Sequence, residues 1–272
     1  MTLRAFLGRH DDVVRVRIAR VDGSSPREVG AEMYVSPSAV FGTIGGGQLE
    51  YMALDHARQM LSADQHHTVL NVPLGPEIGQ CCGGRVKLSL DLMDADRRAK
   101  ALRGEEAAIA SLPEVLIFGA GHVGRALARA LRLLPVKVCV IDSRTDELGR
   151  VTCADKRLSA LPESEIAGAT RGACFVVATH DHALDFLLVA EALKRDDAAY
   201  VGMIGSDTKR ARFQSWAHTY AAEVDPKRLT CPMGAAGLGD KRPEVIAAHI
   251  ASELLSTLTA KATVRKRMEE SS

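Results

Sequence analysis

With 272 residues, 46% apolar and 25% charged, the chain has the make-up of a globular protein of two modest domains. A formal charge of +1 and an aromatic content of 4% argue against a dedicated nucleic-acid binder or a basic membrane-surface protein. No apolar run approaches the length of a bilayer span, and Met1 to Asp12 lacks the apolar core of an export signal, so the expected location is the cytoplasm.

In chain order, Val14, Val16 and Ile18 alternate with Arg15 and Arg17, which predicts a half-buried strand. Turn chemistry follows at Asp22-Gly23-Ser24-Ser25-Pro26. Met33 to Val35 and Ala39 to Phe41 flank Ser36-Pro37-Ser38 as a hairpin. After three consecutive glycines, Leu49, Ala53, Ala57 and Met60 share one face of a helix over 48–61. Strand patterns resume at Thr68 to Val72 and Arg85 to Leu90. The polar stretch 93–113 reads as an exposed, partly helical linker between domains. Beyond it, short apolar runs at Val115 to Phe118, Val136 to Ile141, Cys174 to Ala178 and Tyr200 to Ile204 alternate with helical patterns. A helix from Pro243 to Leu258 closes the second domain, and the polar end from Lys261 is expected to fray. The expected fold is α/β: a C-terminal Rossmann-like, doubly wound parallel sheet over 114–260, preceded by a smaller N-terminal α+β domain over 1–92.

Gly119-Ala120-Gly121-His122-Val123-Gly124 fits G-x-G-x-x-G between a strand and a helix. Its glycines serve a tight turn, a close approach of pyrophosphate and helix–strand packing, in that order. The helix start offers N–H groups and a positive dipole to phosphates. Asp142 ends the next strand about 20 residues further on, where a ribose-binding acid falls. Gly119, Gly121, His122, Gly124 and Asp142 are therefore candidate nucleotide ligands. Arg144 keeps a 2′-phosphate open. Thr179-His180-Asp181-His182 follows a strand at the carboxyl edge. His180, Asp181 and His182 are crevice candidates, with helix capping by Asp181 as the plainer reading. Gly205 and Ser206 end the following strand at the same edge.

Two loops of the first domain carry the more specific chemistry. Gly45-Gly46-Gly47 at a helix start can present backbone N–H groups to an anion. Cys81-Cys82, flanked by Gly79 and by Gly83-Gly84-Arg85, places adjacent thiols in a loop freed of bulk. Thiolates are soft ligands for transition metals and acceptors of sulfur. Two small buried residues in a tight turn is the plainer reading.

In this order the motifs resemble the XdhC/CoxI family of accessory proteins for molybdenum hydroxylases. They are Gly23-Ser24-Ser25-Pro26-Arg27, Gly42-Thr43-Ile44-Gly45-Gly46-Gly47 with Glu50, Gly79-Gln80-Cys81-Cys82-Gly83-Gly84, the glycine turn, Ala178 to His182, and Gly202 to Ser206 with Lys209-Arg210. The resemblance implies a cofactor chaperone rather than an enzyme. Its cargo is the molybdenum–molybdopterin cofactor. Its partners are a cysteine desulfurase and the molybdenum-binding subunit of xanthine dehydrogenase, with a homodimer also open. It places Cys81 and Cys82 at the molybdenum or at the arriving sulfur. Arg27 and Gly45 to Gly47 are the residues guessed for the pterin phosphate, and the Rossmann half makes NAD(P) plausible. The alternatives are an NAD(P)-dependent oxidoreductase and a nucleotide or redox sensor.

Overall fold

In the computed structural model, residues 1–75, 83–234 and 239–270 are described, with 261–270 as backbone alone. The chain divides into two compact units, Met1–Ala110 and Ser111–Ser272.

The first unit is an antiparallel sheet with helices on both faces. Its strands are β1 (Val14–Asp22), β2 (Glu32–Val35), β3 (Val40–Gly42), β4 (His67–Pro73) and β5 (Arg85–Leu92), in spatial order β3-β2-β1-β5-β4. The expected hairpin is β2–β3, with Val35 opposite Val40 and Ser36 closing the turn through Ala39. The period-two pattern sends Val14, Val16 and Ile18 to one face, where α2 (Gly47–Ser62) lays Leu49, Ala53, Ala57 and Met60 over them. Burial of these side chains is the main favourable term for this face.

The opposite face carries Arg15, Arg17 and Tyr34, beside α1 (Leu3–Leu7) and α3 (Ala95–Ala110). The segment expected as a partly helical linker at 93–113 holds α3, and the boundary between units falls after Ala110. Hydrogen bonding anchors α3, which has no fully buried residue of its own. Arg98 donates to the carbonyls of Met93, Leu7, His10 and Asp11.

The second unit is a parallel sheet of β6 (Glu114–Phe118), β7 (Lys137–Asp142), β8 (Asp155–Leu158), β9 (Cys174–Val177) and β10 (Tyr200–Met203), in order β10-β9-β6-β7-β8. Both faces are covered. Helices α4 (His122–Leu131) and α9 (Pro243–Glu270), with Leu148 of α5 (Thr145–Gly149), pack on Val115, Ile117 and Val140. Helices α6 (Glu163–Ala167), α7 (His182–Lys194) and α8 (Asp207–Tyr220) pack on Leu116, Phe118, Phe175 and Val177. This is the doubly wound Rossmann arrangement. Its order reverses beside β6, so the turn after β6 opens at the topological switch point. The polar end expected to fray from Lys261 continues as α9 to Glu270.

Candidate functional site

Each unit carries one candidate site. In the second, the three glycines of the turn after β6 meet different surroundings. At Gly119, φ is +114° and a Cβ would lie 2.3 Å from the Ala178 carbonyl oxygen. At Gly124 a Cβ would lie 1.9 Å from the Gly119 oxygen, so only glycine lets α4 approach the strand. Gly121, the residue capping α4, has φ −66° and open space where a Cβ would stand. Among the described residues nothing demands glycine there, whereas a ligand pressed onto the helix start would.

The turn is held from both sides. Ala120 N–H donates to Asp142 Oδ2 at 2.7 Å, and Arg125 donates to the Ala120 carbonyl at 2.6 Å while also pairing with Glu147. Asp142 also accepts from the Arg144 N–H (2.9 Å), Nε (2.9 Å) and Nη2 (2.8 Å). Burial opposes ionisation of Asp142, but these donors outweigh it and bring the carboxyl down to about 2. A narrow slot of about 20 Å³ opens beside Gly119, Asp142, Ser143, Pro162 and His180.

The remaining crevice candidates divide by role. Asp181 caps α7, accepting from the Ala183 N–H at 2.8 Å, so capping accounts for this acid. Ser206 caps α8 through the Lys209 N–H. Gly205 leaves room for Lys209, whose Cδ would stand 2.7 Å from a Cβ there. His122 and His182 are exposed first residues of α4 and α7. Among the described residues, no three His, Cys, Asp or Glu side chains are grouped to hold a metal.

Sequence reasoning missed a buried pair behind this edge. Lys209 donates to Asp185 and to the Ile204 carbonyl at 3.0 Å, while Asp185 Oδ1 accepts from the Thr179 hydroxyl at 2.6 Å. The available signal was an acid inside the apolar run Leu184 to Leu188. Cys231 packs against the same edge, and burial pushes its thiol up.

In the first unit, Cys81 and Cys82 lie outside the described residues. The foot of their loop is described. Leu74 N–H donates to the Gly84 carbonyl at 2.8 Å, Gly83 N–H donates to the Leu74 carbonyl at 2.9 Å, and Gly83 bridges to Ser24. A Cβ on Gly84 would lie 2.0 Å from the Ser24 carbonyl oxygen. The triple-glycine turn leans on the same segment, since a Cβ on Gly45 would lie 2.7 Å from the Pro26 ring and 3.5 Å from Arg27 Cγ. The structure therefore brings the Gly23–Arg27 run, the triple glycine and the described end of the double-cysteine loop into direct contact.

The expected anion cradle at Gly45 to Gly47 meets a competitor within the protein. Gly45 N–H donates to Thr43 Oγ1 at 3.0 Å, and Gly46 N–H donates to the Glu50 carboxylate, which also accepts from the Thr43 hydroxyl at 2.9 Å. A carboxylate in the first turn of α2 already serves that helix start.

Arg27 instead lines a cavity of about 640 Å³, within the range of small-molecule sites. Arg15, Arg17 and Lys100 supply further positive charge, and Tyr34 and Phe41 supply aromatic wall. The cavity is polar on both signs, with Glu28, Glu32 and Glu105 also on its wall. Arg15 bridges Asp91 at 3.1 Å and Glu32 at 3.7 Å, and Asp91 accepts from His67 and Ser89. Burial opposes ionisation of Asp91, and the donors His67, Arg15 and Ser89 overcome it, keeping its pKa below the ordinary range. Burial and the Glu32 carboxylate push the Tyr34 phenol up.

Comparison with known proteins adds the following. The model of the XdhC Rossmann domain matches residues 115–254, and that of the XdhC and CoxI family matches residues 7–71. The Escherichia coli K12 protein YqeB, described as uncharacterized, is 25% identical over 246 residues. That match takes in 86% of this chain and 41% of YqeB, so the chain spans about two fifths of the curated relative. A Bacillus halodurans crystal structure described as a xanthine dehydrogenase superposes with a TM-score of 0.80 over 95% of each chain at 18% identity, which speaks to the fold alone.

Proposed function

The chain belongs to the XdhC and CoxI family, and from that premise we propose that it is a xanthine dehydrogenase accessory protein whose cargo is the molybdenum–molybdopterin cofactor. It holds the cofactor while a cysteine desulfurase supplies the sulfur that replaces an oxo ligand of molybdenum. It then passes the cofactor to the molybdenum-binding subunit. Cys81 and Cys82 meet the metal or the incoming sulfur, as soft ligands suit both. The pterin phosphate sits against Arg27 and the neighbouring cations of the cavity, with Gly45 of the triple-glycine turn packed against Pro26 and Arg27 beside it.

One observation carries this reading: two further glycine motifs meet on the six residues Asp22 to Arg27, and Arg27 faces a cavity of about 640 Å³. The test is co-purification with molybdenum cofactor from a producing host, comparing the unmodified chain with Cys81→Ala, Cys82→Ala and Arg27→Ala. The expected result is cofactor in the unmodified chain and depletion in all three variants. Equal retention in every variant sinks the assignment.

A second reading concerns the Rossmann unit, where the open space at Gly121 favours a bound nucleotide pyrophosphate at the start of α4. Nicotinamide-dependent turnover by the purified chain would replace the chaperone reading with that of an oxidoreductase. Oxidant-dependent mass change at Cys81 or Cys82 without cofactor binding would favour a redox sensor.

A further inference from the structure

We infer that the nucleotide of the Rossmann unit carries a phosphate on its adenosine ribose, and that Arg144, not Asp142, reads it. This rests on the nucleotide reading above and names the class of ligand.

An ionised carboxylate offers about four lone-pair positions. At Asp142 all are occupied from within the protein. Oδ1 accepts from the Arg144 N–H and Nε, and Oδ2 accepts from the Ala120 N–H and Arg144 Nη2. An unphosphorylated ribose is held at this position by donating its hydroxyl hydrogens into such a carboxylate. Here there is nowhere for them to go unless Arg144 leaves. Departure of its side chain would strip a buried carboxylate, whose side chain is only 5% exposed, of two charged donors.

The guanidinium is placed the other way round. Its hydrogen bonds to Asp142 use Nε and one Nη2 hydrogen, two of the five donors an arginine carries. The side chain is 37% exposed, so its outer edge faces solvent at the carboxyl end of β7. A planar fork of this kind matches phosphate oxygens. Ser143, exposed and lining the adjacent slot, adds a hydroxyl donor. The nearby carboxylates do not prevent this. Asp142 is ion-paired with Arg144 itself, Glu147 is paired with Arg125 and Arg150, and Asp146 is exposed to screening solvent.

The test is isothermal titration of the full chain with two matched pairs: NADP⁺ against NAD⁺, and 2′,5′-ADP against 5′-AMP. The expected preference for the 2′-phosphorylated member is about tenfold or more in both pairs, as one or two charge-assisted hydrogen bonds would give. In Arg144→Ala this preference collapses and NAD⁺ binds no more weakly than before, because Asp142 regains lone pairs. Equal or tighter binding of NAD⁺ by the unmodified chain overturns the inference while leaving the nucleotide reading intact. A preference that survives in Arg144→Ala overturns Arg144 as the reader. Failure of all four ligands to bind at millimolar concentration overturns the nucleotide reading itself. The comparison within the unmodified chain stands even if Arg144→Ala does not fold.

Discussion

Gly119, Gly121 and Gly124 look interchangeable as letters, yet the space around each assigns a different demand. A methyl group at Gly119 or Gly124 collides with backbone, so Gly119→Ala and Gly124→Ala are each expected to cost about 2–4 kcal/mol, read as a lowered Tm. Gly121→Ala meets only open space and is expected to change stability by less than about 1 kcal/mol. The same variant should lose nucleotide affinity in titration. A Gly121→Ala chain that binds nucleotide as well as the unmodified one would show that the space at Gly121 is not a ligand's. Asp142 gives a pH prediction. Its folded-state pKa of about 2 lies below the ordinary value of 3.8, so its contribution is full above about pH 5 and is lost as pH falls from about 4 towards 2. Asp142→Asn should be roughly 2 kcal/mol less stable at neutral pH, with the gap to the unmodified chain closing through that acid window in denaturant melts. Glycine spacing and the distance to Asp142 made these positions legible from sequence. Saturation of Asp142 by Arg144 was not, because it depends on side-chain direction, which spacing does not specify.

Elements with a clear apolar period were also legible. The face of α2 formed by Leu49, Ala53, Ala57 and Met60 packs as expected, and the central strands of the parallel sheet read as continuous apolar runs because both their faces are covered. Strand β8 escaped notice because it lies at a sheet edge with every residue exposed, leaving no pattern to detect. Helix α3 read only as a partly helical linker for a related reason: it has no fully buried residue, and Ala101 and Leu102 pack partly buried beside its polar anchors. Arg98→Ala removes the donor to four carbonyls. It should destabilise the first unit by about 2 kcal/mol and raise amide exchange in α1 and early β1 ahead of α2. Uniform exchange across the unit would argue against that anchoring role. Glu50→Gln keeps the shape of the cap on α2 but removes its charge, for an expected loss of about 1 kcal/mol in thermal melts.

At the scale of the molecule, each unit encloses its own apolar core, so fragments 1–110 and 111–272 should each melt cooperatively when produced alone. Cofactor cargo should travel with the first fragment and nucleotide affinity with the second. Absence of a cooperative transition in either fragment would show that the units depend on one another for stability. Among the described residues no helix is long and apolar enough to cross a membrane. The two-part α/β plan was readable from the change in strand pattern near the middle of the chain, whereas the meeting of distant glycine motifs was not. That meeting arises from β1 pairing with both β2 and β5, which delivers the end of β1 to two loops at once. An engineer moving this apparatus to another scaffold could not transplant the paired cysteines with their flanking glycines alone. The stretch from Asp22 to Arg27 acts as a common keystone, and a chimera lacking it would carry the right letters on a loop with no abutment.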